Sequence, residues 1–345
     1  MSLISEIHEQ ADVLENLLKN QRGLIESIAA RLRLDLPKYV FLAARGTSDN
    51  AGRYANYVWG SLNRLPVALA TPSLFSLYQL PPSLKDSLVV GISQSGQSPD
   101  IVSVLEEGRK QGSPTLAISN AAQSPLAQAA DFVIDIQAGR ELAVAASKTY
   151  TAELKTIAML SAALRQDNSM WQDLARVPGW IREVLSKDEH IARCTERYRY
   201  MERCVVLGRG YNYATAFEWS LKLKELSYVI AEPYSSADFQ HGPIAIVDPG
   251  FPVMVVAPES KILENFLPLL HRLHDEQKAE LVILSDLPEV LALARMPIAL
   301  PAGVPEWLSP LVAIVPAQIF SCYLTEVKGF STEAPRSIHK VTETQ

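Results

Sequence analysis

Cysteine and histidine are scarce in this chain of 345 residues, and their spacing argues against two kinds of structure. The three cysteines, Cys194, Cys204 and Cys322, form no Cys-x-x-Cys pair, so we expect reduced thiols in a cytoplasmic protein rather than a disulfide framework. The six histidines include no His-Glu-x-x-His pattern and no closely spaced His/Cys pair. We therefore expect no metal site, and we predict no other cofactor.

Excess positive charge and long apolar runs are missing as well. The formal net charge is −6 at pH 7, whereas a nucleic-acid-binding surface needs clustered lysine and arginine. The N-terminus lacks a basic segment followed by an apolar one, and no apolar run reaches the roughly 18 residues that suggest a membrane span. We therefore expect neither a nucleic-acid partner nor a membrane.

Short apolar runs alternate with helical patterns in the first half of the chain. The runs are "YVFLAAR", "PVALA", "SLVVGIS", "TLAIS" and "FVIDI". Continuous valine, isoleucine and leucine between helices indicate parallel strands that are covered on both faces of their sheet. Five such strands are typical of a flavodoxin-like or Rossmann-like α/β unit.

The same pattern recurs in the second half of the chain. A single offset places Gly46 on Gly210 and Ser93 on Ala257, and it pairs "LVVGIS" with "PVMVVA". We therefore predict two tandem α/β domains, each with a five-stranded parallel sheet flanked by helices. The predicted parts are an N-terminal helical segment (1–34), a first domain (35–168), a linker helix broken near Pro178 (169–192), a second domain (193–328) and a C-terminal tail (329–345).

The stretch "SQSGQSP" follows the third candidate strand, where ligands bind in open α/β sheets. Ser98 is predicted to cap the next helix and Pro99 to begin it, so that the helix N-terminus attracts an anion. Gly96 allows a ligand to approach the backbone, and Ser93 and Ser95 add hydroxyl donors. The stretch predicts a phosphate-binding loop without the lysine of a P-loop, and the alternative is a plain polar turn that caps a helix.

Two more stretches favour phosphate binding by the first copy. "RGTS" (45–48) ends the first strand, and "VAASK" (144–148) opens a helix with small and hydroxyl residues. The second copy has "APES" where the first has "SQSG", and its glutamate and proline disfavour an anion. We therefore expect only the first copy to bind phosphate.

The second copy carries residues suited to proton transfer. Lys222 and Glu225 are three positions apart on a predicted helix, and Glu218 lies on the same side. The alternative is an exposed ion pair, but the surrounding leucines predict a largely buried helix. His241 stands in "HGP", beyond the next strand, and is either a structural histidine or an acid/base.

Seven stretches together resemble the tandem sugar isomerase (SIS) family, over nearly the whole chain. They are "RGTS", "SQSGQSPD", "ELAVAASKTYTAEL", "LGRG", "SLKLKE", "AEPYSSADFQHGP" and "PRSIHKVT". The chain looks most like the isomerase half of glucosamine-6-phosphate synthase and the SIS-type glucosamine-6-phosphate deaminases. The resemblance implies a homodimer in which the active site is shared between subunits.

The resemblance also implies roles for individual residues. Glu225 looks like the base that moves a proton between C1 and C2, with Lys222 beside it. His241 looks like the ring-opening acid/base, contributed by the partner subunit, and Lys340 like the tail lysine that approaches the sugar carbonyl. The residues that the resemblance places around the sugar phosphate are Gly46, Thr47, Ser48, Ser93, Gln94, Ser95, Ser98, Val144, Ala146, Glu218 and Arg336.

The expected reaction converts glucosamine 6-phosphate into fructose 6-phosphate and ammonia, with aldose–ketose isomerisation as its central step. The chain begins "MSLISEIHEQ", without the nucleophilic cysteine of a glutaminase domain, so we expect no glutamine-dependent transfer. "ADFQHGP" and the ending "KVTET" look more like the deaminases, while Trp219 is expected to narrow the pocket. The alternatives are a deglycase or isomerase of another amino-sugar or fructosamine 6-phosphate, and a non-catalytic phosphosugar sensor.

Overall fold

The structure, a computed structural model, describes residues 2–340 and divides the chain into two compact units. The first unit comprises residues 9–142, 146–178 and 338–340. The second unit comprises residues 2–8, 143–145 and 179–337. Each unit is therefore built mainly from one half of the chain and completed by short segments from elsewhere in it.

The first unit contains a five-stranded parallel sheet in the order β2-β1-β3-β4-β5. Its strands are β1 (Tyr39–Ala43), β2 (Val67–Leu69), β3 (Ser87–Ser93), β4 (Thr115–Ser119) and β5 (Phe132–Asp135). Every residue of β3 and β4 is buried, as the continuous apolar runs predict for central strands of a parallel sheet.

Helices α1 to α7 accompany this half of the chain, and α1 belongs to the second unit. Their bounds are α1 (Leu3–His8), α2 (Gln10–Leu34), α3 (Gly46–Asn63), α4 (Ser73–Ser76), α5 (Pro99–Lys110), α6 (Pro125–Gln128) and α7 (Lys148–Arg165). Helix α7 is buried along nearly its whole length and packs on α2 and α3. Its polar residues therefore need internal partners, and Lys155 Nζ donates to the Leu14 carbonyl at 2.9 Å.

The second unit repeats this topology. Its sheet has the order β10-β9-β8-β6-β7, formed by β6 (Arg203–Gly208), β7 (Ile230–Ser235), β8 (Pro252–Val256), β9 (Glu280–Ser285) and β10 (Met296–Ala299). The strands are parallel and follow the order of the first sheet, with β6 in the place of β1. The predicted pair of α/β units with five-stranded parallel sheets is confirmed.

The remaining helices are α8 (Asn168–Leu185), α9 (Asp188–Thr195), α10 (Tyr213–Ser227), α11 (Leu267–His271), α12 (Pro288–Leu291) and α13 (Ser309–Val327). Single turns of 3₁₀-helix cover Glu196–Tyr198, Gly210–Asn212, Asp238–His241, Pro243–Ile246, Leu263–Asn265 and Glu306–Leu308, and a π-helical turn covers Arg272–Glu276.

Two details differ from the sequence-based expectations. Helix α8 continues through Pro178 instead of breaking there, because a proline inside a helix can bend it without ending it. The segment Glu306–Val327 is long and apolar enough to cross a membrane, which the sequence analysis did not expect. Of its most apolar window, 94% is buried inside the protein, as in the core helix of a soluble protein.

Candidate active site

The serine-rich loop lies between β3 and α5 in the first unit. Ser98 occupies the N-cap of α5 and Pro99 its first turn, as predicted, although the Ser98 hydroxyl makes no capping bond. Ser93 Oγ accepts from the Gly96 N–H at 3.1 Å, which folds the loop back on the strand end. Gly96 has a φ of +63°, and a Cβ atom there would collide with the Ser124 side chain, so glycine is required.

This loop presents unused donors at the carboxyl edge of the sheet. Ser95 Oγ accepts from the Gln97 N–H at 3.3 Å. Within residues 2–340, neither the backbone N–H of Ser95 nor that of Ser98 donates to a protein acceptor. The side chains of Gln94, Ser95 and Ser98 are half-buried. The arrangement suits an anion that accepts several neutral hydrogen bonds at a helix N-terminus.

The "RGTS" stretch opens α3 beside this loop. Arg45 is the N-cap of α3, and Gly46 begins the helix with a φ of +54°. Thr47 is half-buried, whereas the buried Ser48 donates its hydroxyl to Glu153 Oε1 at 2.8 Å. Arg45 Nε donates to the buried Asp100 Oδ2 at 2.7 Å, a contact that the sequence analysis did not anticipate.

The "VAASK" stretch is held by two buried carboxylates, one in each unit. In the second unit, Glu6 Oε2 accepts from the Ala143 N–H at 3.1 Å, next to the half-buried Val144. In the first unit, which includes Ala146, Glu141 accepts from the N–H groups of Ser147 at 2.9 Å and Thr149 at 3.2 Å. Glu141 thus caps the N-terminus of α7.

Glu141 also contacts the predicted tail lysine. Lys340 Nζ lies 2.7 Å from Glu141 Oε2, whose side chain is fully buried, while Lys340 is 23% exposed. Burial by itself would raise the pKa of Glu141, but the Lys340 ammonium and the hydrogen bonds from Ser147 and Thr149 hold that pKa below its usual value. Sequence reasoning missed Glu141, although it stands in the quoted stretch "ELAVAASKTYTAEL".

Helix α10 of the second unit carries the predicted proton-transfer group. Lys222 Nζ lies 2.6 Å from Glu225 Oε2 and 3.3 Å from Glu218 Oε1. Exposed fractions are 2% for Lys222, 0% for Glu218 and 25% for Glu225, so this is no exposed ion pair. Burial would lower the pKa of Lys222, but the two carboxylates raise it above its ordinary value. Glu225 is the member of the group that reaches solvent.

Trp219 lies in the core of the second unit, and the expectation that it narrows a substrate pocket stays a prediction. Its side chain is fully buried, and its ring lies 5.8 Å from that of Phe320 in an edge-to-face contact. The indole therefore takes part in the packing of α10 against α13.

His241 ends the 3₁₀ turn Asp238–His241 and is exposed. Gly242 follows with a φ of +133°, a conformation that only glycine adopts readily, and Pro243 begins the next turn. In the part of the chain that the structure describes, the His241 side chain makes no hydrogen bond to Glu225 or Lys222. Within the single chain, Lys222 and Glu225 are thus in contact with each other, and His241 is not hydrogen-bonded to either of them.

Arg336 fastens the C-terminal segment to the end of α10. Its guanidinium lies 4.6 Å from the ring centre of Tyr228 and 4.9 Å from that of Phe330. Its backbone N–H donates to the Tyr228 hydroxyl at 2.8 Å. These contacts hold the C-terminal segment against Tyr228 and Phe330 in the second unit.

The loop of the second unit that corresponds to the serine loop is already satisfied by protein carboxylates. The Glu259 N–H donates to Asp286 Oδ1 at 2.7 Å, and the Lys261 N–H donates to Glu306 Oε2 at 3.3 Å. These carboxylates take donors that an anion would need, which supports the expectation that this copy does not bind phosphate. Across residues 2–340, no group of three or more histidine, cysteine, aspartate or glutamate residues could hold a metal ion.

Comparisons with known proteins agree with this architecture. The model of the SIS domain matches residues 36–163 and again 199–327. Glutamine–fructose-6-phosphate aminotransferase (isomerizing) of Thermus thermophilus is 31% identical over 351 residues, which cover 98% of this chain and 58% of that protein. The chain thus spans just over half the length of the curated relatives that it matches.

Two solved structures have the same fold. The C-terminal domain of glucosamine-fructose-6-phosphate aminotransferase from Francisella tularensis has a TM-score of 0.84 and 27% identity, covering 96% of this chain and 98% of that one. Glucosamine-6-phosphate deaminase from Thermotoga maritima has a TM-score of 0.81 and 19% identity, with both chains covered completely. The second likeness concerns the fold alone.

Proposed function

This chain belongs to the SIS domain family, and on that premise we propose that it is a phosphosugar aldose–ketose isomerase acting on a hexose 6-phosphate. The observation that carries the proposal is the group on α10. A buried lysine there pairs with two carboxylates, and only that of Glu225 reaches solvent. Proton transfer between adjacent carbons requires a positioned general base, and a carboxylate oriented by a fixed ammonium can serve as that base.

In the proposed reaction, Glu225 removes the proton from one of C1 and C2 and returns it to the other, through an enediol or enolamine. Lys222 Nζ, 2.6 Å from Glu225 Oε2, holds the carboxylate in one orientation. Negative charge develops on the sugar oxygens during this step, and the Lys340 ammonium is suited to stabilise it. His241 of the partner subunit would open the sugar ring.

The first unit supplies binding rather than proton transfer. Phosphate at the N-terminus of α5 would accept from the Ser95 and Ser98 N–H groups and from the loop hydroxyls. Holding the phosphate remote from C1 and C2 keeps the open-chain sugar in register while the proton moves. Ala146, in the same unit, is proposed to contact the sugar itself.

The more specific proposal is that glucosamine 6-phosphate and water yield fructose 6-phosphate and ammonia. The stretch "ADFQHGP" looks more like the deaminases than like the synthase and supports this substrate. The ending "KVTET" (340–344) also looks deaminase-like. Only its first residue, Lys340, is among the described residues. A deglycase acting on fructosamine 6-phosphates would use the same proton transfer, so the substrate must be tested directly.

The test measures ammonia release from glucosamine 6-phosphate and ketose formation from glucose 6-phosphate in parallel. Glu225→Gln keeps the shape of the side chain but removes the base, so we expect it to abolish both reactions. Glu232→Gln, at an exposed glutamate of β7 in the same unit, is the matched control and should leave both rates unchanged. Ketose formation without ammonia would support an isomerase only.

A panel of amino-sugar 6-phosphates and fructosamine 6-phosphates would then separate a deaminase from a deglycase. If wild-type protein turns over no member of the panel faster than Glu225→Gln does, the enzymatic proposal is wrong. Tight binding of a hexose 6-phosphate without turnover would instead identify a sensor.

A further inference from the structure

We propose that Arg45 binds the substrate phosphate directly and that the buried Asp100 is the positioning residue that aims it. The inference rests on the proposed function, because it assigns an additional ligand to the same anion site. With Arg45 included, the anion site combines the neutral donors of the serine loop with one fixed positive charge.

The topology places these two residues where a ligand is expected. Strands β1 and β3 are neighbours in the first sheet, but the chain leaves β1 towards β2 on one side and β3 towards β4 on the other. Such a switch point opens a crevice at the carboxyl ends of the two strands, and ligands of α/β proteins bind there. Arg45 follows β1, Asp100 follows the serine loop after β3, and their ion pair joins the two sides.

The geometry of the ion pair leaves most of the guanidinium available. Arg45 Nε donates to Asp100 Oδ2 at 2.7 Å, with the aspartate fully buried and the arginine side chain 49% exposed. A guanidinium has five N–H donors, and this bond uses one of them. Within the described residues the two Nη groups of Arg45 have no protein acceptor. They form the planar fork that binds phosphate oxygens in pairs.

The positive charge of Arg45 and the N-termini of α3 and α5 lie at the carboxyl ends of β1 and β3. Helix α3 begins at Gly46 and helix α5 at Pro99, and both are long enough for their N-termini to attract an anion. In the loops that directly follow β1, β3 and β4 (44–45, 94–98 and 120–124), Arg45 is the only lysine or arginine. A phosphate bound by the serine loop would therefore meet Arg45 as its nearest cation in these loops.

The second unit provides an internal comparison. At the repeat offset, Arg209 corresponds to Arg45, whereas the exposed Glu264 stands at the position of Asp100. Arg209 forms no ion pair in the described part of the second unit. The corresponding loop N–H, that of Glu259, is bonded to Asp286. The orienting acid thus occurs only in the copy whose loop donors remain available.

Calorimetric titration with inorganic phosphate and with fructose 6-phosphate tests the proposal. Arg45→Ala should weaken the binding of both by about 10- to 100-fold, because a charge-assisted pair of hydrogen bonds is lost. Arg45→Lys should recover part of the affinity, since it restores the charge without the fork. Arg209→Ala is the matched control at the repeat position and should leave both affinities within about twofold of wild type.

A double variant separates binding from structure. Arg45→Ala alone leaves Asp100 as a buried charge without its partner, which could lower stability. In Arg45→Ala/Asp100→Asn that charge is gone, so the melting temperature should return towards wild type while the affinity for phosphate stays low. Wild-type affinity in this folded double variant would overturn the assignment of Arg45.

Titration with both inorganic phosphate and fructose 6-phosphate distinguishes a failure of the Arg45 assignment from a failure of the proposed isomerase function. Inorganic phosphate binding that depends on Arg45, without binding of any hexose 6-phosphate, would support Arg45 and contradict the isomerase. Binding of fructose 6-phosphate that is indifferent to Arg45→Ala would contradict only the inference. If the wild-type protein binds neither probe, both are wrong.

Discussion

Replacing Lys222 by methionine should destabilise the second unit strongly. Methionine is close to lysine in length and fills the same buried space, so the change removes the charge and little packing. Glu218, whose side chain is fully buried, then keeps its carboxylate without the ammonium 3.3 Å away. Removing one partner of a buried ion pair costs about 3–5 kcal/mol of the free energy of unfolding.

The two glutamates should respond differently to their own replacement. Glu225 is 25% exposed, so water can solvate its carboxylate, and Glu225→Gln should change stability by about 1 kcal/mol or less. Glu218→Gln combined with Lys222→Met places a neutral amide beside an apolar side chain. This double variant should recover most of the stability that Lys222→Met loses, because the buried carboxylate that lost its ammonium is removed as well.

Urea unfolding followed by tryptophan fluorescence measures these differences, and circular dichroism before unfolding checks that each variant is folded. A loss of about 3–5 kcal/mol lowers the urea midpoint by about 2 M for a unit of this size. The reasoning is refuted if Lys222→Met unfolds within about 0.5 M of wild type. It is also refuted if adding Glu218→Gln does not raise the midpoint of Lys222→Met.

Three further predictions concern assembly, pH and the tail. If active sites are shared in a homodimer, mixing inactive Glu225→Gln and His241→Ala proteins should restore roughly a quarter of wild-type turnover, and no recovery would contradict sharing. Burial lowers the pKa of Lys155 to about 7, so the folded state binds fewer protons than the unfolded state above that pH. The stability of wild type relative to Lys155→Met should therefore rise between pH 7 and pH 10, and parallel urea midpoints would contradict this. Glu141→Gln removes the charge that holds Lys340, so trypsin should cleave after Lys340 faster than in wild type, as mass spectrometry would show; an unchanged rate would contradict it.

Local sequence patterns determined the elements of the fold and their duplication. Strands of a parallel sheet are buried on both faces, so β3 and β4 can be predicted from their continuous apolar runs. Ser98 before Pro99 marks the start of α5, because a cap and a first-turn proline act within a few residues. Lys222 and Glu225 could likewise be predicted to share a helical face, because three positions are nearly one turn of a helix.

Contacts between distant parts of the chain were decided only by the tertiary structure. Glu141 and Lys340 are 199 positions apart, and Arg45 and Asp100 are 55 apart. No periodicity links such pairs, because their meeting depends on strand order and on where each crossover returns the chain. Whether a side chain on a helix is buried also depends on the tertiary structure. On α10, which packs on α13 and on β6 and β7, the indole of Trp219 is fully buried whereas the carboxylate of Glu225 is 25% exposed.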